Sequence, residues 1–227
     1  MQNDSYSQVV QLEQVNTFVR KVYFWMTVAL AITAGVAFYV TTNSILVSIL
    51  LSNYMILIFL QLGLVILFSF LLNKISTSLA IFLYVVYAAI TGLVFGVVLL
   101  AYSISTVFLA FAITAGLFLF MSIYGYFTKT DLTSFGNILI MGLVGLVLAS
   151  LVNLFVHSDT FSYILSYIGV LIFTGLAAYD TQKIKEIGQQ SIESGEGDKL
   201  AIMGAFSLYL DFINLFLSIL NILGSKD

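Results

Sequence analysis

The sequence predicts an all-α integral membrane protein with seven transmembrane helices, and three observations carry that prediction. Hydrophobic residues make up 61% of the 227 and charged residues only 8%, against roughly 25% charged in an average soluble domain. Seven apolar stretches, at 22–41, 46–72, 79–101, 104–124, 135–156, 161–181 and 201–223, match the ~20 residues a helix needs to cross ~30 Å of hydrocarbon. Apolar residues run on within them, without the polar alternation of a membrane barrel.

Residues 1–21 form a polar segment ahead of the first span. Its first 17 residues hold Asp4 and Glu13 and no lysine or arginine, so the basic start of a signal peptide is missing. The links between spans are short and hold most of the charge. Arg20, Lys21, Lys74, Lys129, Lys183, Lys185 and Lys199 fall at the N-terminus and in the second, fourth and sixth links, and Lys226 alone falls on the other side. Cytoplasmic loops are the basic ones, so the N-terminus is expected inside and the tail at 224–227 outside. The longest link, 182–200, reads as an aqueous loop. The seven spans form one transmembrane domain over 22–223. The chain has no cysteine and no proline, which excludes thiolate sites and proline kinks. No basic cluster suggests nucleic acid, and no cofactor is expected.

Short words recur at nearly one offset. "AITAG" stands at 31–35 and 112–116, "GLVI" at 63–66 echoes "GLVL" at 145–148, and "TGL" stands at 91–93 and 174–176. An offset of three spans reverses direction across the membrane, as in the inverted repeats of transporters. The seventh span has no counterpart and is placed in the middle.

That span carries a polar stripe. Gly204, Ser207, Asp211, Asn214, Ser218 and Asn221 are spaced three or four apart, one face of a helix. Lipid satisfies neither Asp nor Asn, so this face must turn into the bundle. The glycine and serine positions suit helix packing. Asp211 is the anomaly: it sits near mid-membrane, where an ionised carboxylate costs at least about 2.5–3.5 kcal/mol. The other acid within a span is Asp180, ~6–9 Å from the cytoplasmic face by residue count, against ~14–16 Å for Asp211. Asp180 also has Lys183 one turn away. If the two acids meet, they cannot both stay ionised without a cation, and they titrate as a unit. One shared proton would pin the sixth and seventh helices. Its loss would leave a hard-oxygen site open to a weak, transient Ca²⁺.

Two words, "FTGLAAYDTQKIKEIG" at 173–188 and "AFSLYLDFINLFLSIL" at 205–220, resemble the Bax inhibitor family, the proteins with a transmembrane Bax-inhibitor motif. "SIYGYFTKTDLTSFGNIL" at 122–139, "LLNKIS" at 71–76 and "YAAITGL" at 87–93 extend the match. The resemblance implies two three-helix groups around a central seventh helix, in the inner membrane of a bacterial cell. It implies a pH-sensitive calcium leak channel gated by an aspartate pair, here Asp180 and Asp211. Some members place an arginine near the end of the second helix as a partner to the pair; here Lys74 is the one basic residue in that region.

His157 reads as a solvated loop residue, and a lone histidine excludes a three-histidine zinc site. "TKTDLTS" at 128–134 reads as a helix start capped by Asp131 or Thr133. "ESGEGD" at 193–198 reads as a flexible link. Tyr163, Tyr167 and Tyr179 read as packing or interface anchors. The chain is not expected to be an enzyme. An intramembrane aspartyl protease also uses Asp on two spans, but the second site here reads Leu-Tyr-Leu-Asp and the proline-containing element is absent. The serious rival is an interaction protein. Some bacterial family members are linked to a membrane-anchored ATP-dependent protease, and residues 1–21 would then be the contact.

Overall fold

The structure, a computed structural model, describes residues 2–71, 74–194 and 197–224. Among them every regular element is a helix: α1 Gln2–Thr41, α2 Ser44–Ser52, α3 Tyr54–Leu71, α4 Thr77–Leu99, α5 Ile104–Phe127, α6 Thr133–Val156, α7 Asp159–Ser194 and α8 Gly197–Leu223. Seven of them are long and apolar enough to cross a membrane. Most of the tail at 224–227, with Lys226, lies outside the described residues, as do Leu72 and Asn73 of "LLNKIS".

Caps punctuate the chain. Asn43 Oδ1 accepts from Leu46 N at 3.0 Å, and the Ser76 and Ser103 hydroxyls accept from Leu79 N and Thr106 N, each closing a free N–H at a helix start. His157 ends α6 in the left-handed region (φ 55°) with its N–H on Asn153 O. It is exposed, as a loop residue should be.

Three expectations need correction. The second apolar stretch is not one helix: it breaks at Asn53, whose side-chain amide donates to Ile49 O at 2.8 Å, so a local side-chain bond competes with helix continuation. Neither is 182–200 a loop. α7 continues to Ser194 and α8 starts at Gly197, leaving only 195–196 of "ESGEGD" outside the described residues. The polar turns of "QKIKEIGQQSIES" are helix beyond the apolar run. At α6 the capping position is Leu132, which has no side chain to cap with. Asp131 serves from one residue earlier, accepting from Thr133 N at 2.8 Å.

The chain divides into two compact units, Met1–Tyr102 with Ile187–Phe206, and Ser103–Glu186 with Ser207–Asp227. Each holds three spans and a part of α8, the most buried span. In the first unit α1 and α4 run side by side. Thr33 Oγ1 donates to Ala88 O at 2.9 Å, and a Cβ on Gly92 or Gly96 would lie 2.6 or 2.4 Å from the Cβ of Val36 or Val40. This Gly-x-x-x-Gly seam lets two backbones approach closely where lipid supplies no hydrophobic drive. In the second unit α5 crosses α7 even more closely, with Gly125 against Ala178.

The echoed words share environments. Gly35 and Gly116 of "AITAG" both face open space, as do Gly63 and Gly145, whereas Gly92 and Gly175 of "TGL" are both crowded by neighbouring helices. Thr33 and Thr114 of "AITAG" are both buried.

A Cβ at Gly125 would stand 2.1 Å from Ala178 O, a backbone atom that cannot swing aside. Gly125→Ala should therefore destabilise the protein by about 1–3 kcal/mol, the usual range for overpacking. Gly116→Ala, in open space, should be neutral or stabilising through the lost glycine entropy, worth up to about 1 kcal/mol. Thermal unfolding of the two variants in one detergent compares them directly.

Candidate functional site

The site lies in the second unit, between α7 and the part of α8 that belongs there. Asp180 stands fourteen residues before Ser194, the end of α7, and Asp211 fourteen residues after Gly197, the start of α8. Two antiparallel helices with equal arms place the two acids at one level. The depth gap computed from sequence came from treating 182–200 as loop, which moved both helix ends.

The two carboxyl groups meet side chain to side chain. Ser207, one turn before Asp211, donates its hydroxyl to Asp180 Oδ2. Asp211 is 5% exposed, and Asp180 is partly buried. Asp211 Oδ2 is buried and has no hydrogen-bond partner. Lys183, one turn along α7, is the basic group whose charge acts on Asp180, while its ammonium lies 5.7 Å from the centre of the Tyr179 ring.

The rest of the stripe serves the helix pair in different ways. Asn221 Nδ2 donates to Ser166 Oγ at 2.7 Å and Ser162 Oγ at 3.1 Å, tying the far ends of α7 and α8. Ser218 donates to Asn214 O in its own helix and fills the space over Gly169, where a Cβ would lie 2.5 Å from Ser218 Oγ. Asn214 returns its amide to Leu210 O at 2.7 Å. Gly204 is buried in the first unit's share of α8. Lys74 stands exposed, also in the first unit, between α3 and α4.

Residues that sequence reading passed over hold the end of α7 that carries Asp180. Gln182 Oε1 accepts from Leu132 N at 2.8 Å and its Nε2 donates to Thr130 O at 2.9 Å, clamping the α5–α6 link. Lys185 donates to Tyr126 O at 3.0 Å, near the negative end of the α5 dipole. The signal was their spacing: 182 and 185 share a helix face, which is visible only once 182–194 is read as helix. In the first unit, Gln61 bonds Thr91 Oγ1 at 3.1 Å beside Tyr87. There too Val15, Phe18 and Val19 of the N-terminal helix are buried, with Phe18 against Gly188 and Lys21 paired with Asp198. The proposed contact segment 1–21 is thus partly packed into the protein. Of the tyrosine anchors, Tyr163 bonds Gly224 O at 3.3 Å, Tyr179 is buried under α6 and Tyr167 is exposed.

The family described as "Inhibitor of apoptosis-promoting Bax1" matches residues 15–227. The chain is 44% identical over 217 residues to "Inner membrane protein YbhL" of Escherichia coli strain K12, covering 93% of each. It is 43% identical to a protein of Deinococcus radiodurans, over 100% of this chain and 98% of the other, and 42% identical to one of Borreliella burgdorferi, over 93% of each. The latter two bear no functional name.

Asn221→Ala removes the tie to Ser162 and Ser166, and should lower stability by about 0.6–1.7 kcal/mol, the range for hydrogen bonds between membrane helices. Its effect should be read as a drop in unfolding temperature. Outside the membrane, Asp131 is held below the usual carboxylate range by hydrogen bonds from the Thr133 side chain and backbone. A depressed folded-state pKa gives stability that is present above the ordinary value of ~3.9 and lost as pH falls through the folded value. Asp131→Ala should therefore lower the unfolding temperature at pH 7, with the difference closing as the pH is lowered below ~4.

Proposed function

This chain belongs to the Bax inhibitor family, and we propose that in it the Asp180–Asp211 pair gates a pH-sensitive leak of calcium or a like cation. The observation that supports this reading is the contact of the two carboxyl groups at the buried centre of an antiparallel helix pair. With one proton between them, the acids bind α7 to α8. Without it, two like charges in a poorly solvated site repel and attract a cation. Two acids make too few ligands for storage, since Ca²⁺ takes six to eight oxygens. Among the described residues no group of three or more acidic, histidine or cysteine side chains could hold a metal, so the ion would pass and not reside. The site would sit in an inner membrane, as the name of the Escherichia coli relative has it for that protein, with the N-terminus cytoplasmic by the distribution of lysine and arginine.

The rival reading, a regulator of a membrane-anchored ATP-dependent protease, rests on the N-terminal segment. α1 begins at Gln2, ten residues ahead of the apolar stretch that starts at Leu12, and those residues offer a helix for a partner. Deleting residues 2–11 spares the buried Val15 and Phe18. It should abolish a partner role and leave ion flux intact.

Purified protein in calcium-loaded proteoliposomes should leak several-fold faster at pH 8 than at pH 5, as expected for a coupled pair losing its shared proton. Asp180→Asn and Asp211→Asn should each flatten that pH profile. No flux, or one profile for all three proteins, would refute the reading.

A further inference from the structure

Three buried side-chain atoms among the described residues lack a hydrogen-bond partner: Ser122 Oγ, Thr174 Oγ1 and Asp211 Oδ2. All three lie in the second unit, one each on α5, α7 and α8. The packing of these helices brings their turns together. Ser122 lies one turn before Gly125, which abuts Ala178 of α7. It lies one turn after Phe118, whose ring meets that of Phe212 on α8 at 5.4 Å. Thr174 is one turn before Ala178, and Asp211 adjoins Phe212.

Hydroxyls buried in apolar helices ordinarily return their proton to a carbonyl of their own helix. Thr91, Thr114, Ser166 and Thr181 do so here, at 2.7 to 3.0 Å. Ser122 and Thr174 do not. Ser122 is 4% exposed and Asp211 5%, so bulk water does not satisfy them. Buried polar groups are nearly always paired with protein or with ordered water. A buried water needs two to four polar partners, and two hydroxyls, each donor and acceptor, with a carboxyl oxygen meet that need. A resident hard cation would need more oxygens.

We propose that Ser122, Thr174 and Asp211 line a buried hydration site where α5, α7 and α8 meet, and that its water carries the permeating ion past the Phe118–Phe212 contact. The occupancy of the site stands independently, and its role in permeation rests on the reading of the aspartate pair as a gate.

Water-edited solid-state NMR on the full chain in lipid bilayers tests occupancy. Magnetisation should pass from water to Ser122 and Thr174 at least about threefold faster than to Thr91 and Thr114, buried threonines bonded within their own helices. Ser122→Ala should slow the transfer at Thr174 and leave Thr114 unchanged. Equal rates at all four positions in the wild type would overturn the site. Calcium flux tests the role. Ser122→Ala and the isosteric Thr174→Val, each with a retained unfolding transition, should cut the maximal flux about tenfold, and undiminished flux in both would overturn it. A wild type without flux would remove the leak reading and with it the role, while the NMR comparison would still decide whether water is held.

Discussion

A carboxyl group inside hydrocarbon must hold a proton, a counter-charge or a polar neighbour, because leaving it ionised and alone costs several kcal/mol. Asp211 meets this requirement by contact with Asp180 and, through Asp180, with Ser207. The geometry of α7 and α8 allows that contact. The two helices are antiparallel, Asp180 and Asp211 stand equally far from the helix ends at Ser194 and Gly197, and the Ser218 side chain packs over Gly169. Asn221 then fixes the far end with hydrogen bonds to Ser162 and Ser166, so the pair sits on an interface held from beyond as well as at its own level.

Aromatic rings anchor α8 within each unit. Phe206 packs edge-on to Phe68, Tyr84 and Tyr87 in the first unit, and Tyr84 adds a hydrogen bond to Ala205 O at 3.1 Å. Six residues on, Phe212 packs against Phe111 and Phe118 in the second. Such edge-to-face contacts contribute about 0.5–1.5 kcal/mol each beyond area burial. Asp211 adjoins the second anchor, so a change in its charge acts next to the ring that joins α8 to α5. The polar end of α7, held by Gln182 to the α5–α6 link and by Lys185 to the end of α5, gives Asp180 a backbone fixed from the other side.

The seven spans and the stripe on α8 were legible because hydrocarbon imposes length and excludes charge, and both constraints are written directly in composition and spacing. The break at Asn53 was not legible, since one side-chain amide on a carbonyl decides it within an unbroken apolar run. The helical continuation of α7 was missed because apolar length marks where a span ends, and it is silent on where a helix ends. That one misreading made the two acids look mismatched in depth. The Gly92–Gly96 seam was not read from the sequence, because only the partner helix shows which glycines are crowded and which, like Gly35, face open space. Ser122 and Thr174 carry no sequence signal at all: their distinction is a hydrogen bond they fail to make.

In this member of the Bax inhibitor family, the proposed device is one proton shared by two acids across a helix interface. Infrared difference spectroscopy of the protein in bilayers, stepped from pH 5 to pH 8, observes that proton most directly. A protonated-carboxyl stretch should fade as the pH rises, a carboxylate band should replace it, and the titrating band should be lost or displaced in both Asp180→Asn and Asp211→Asn, since the proton belongs to the pair. A spectrum with no titrating carboxyl band, or a band that titrates unchanged in either variant, would contradict the account.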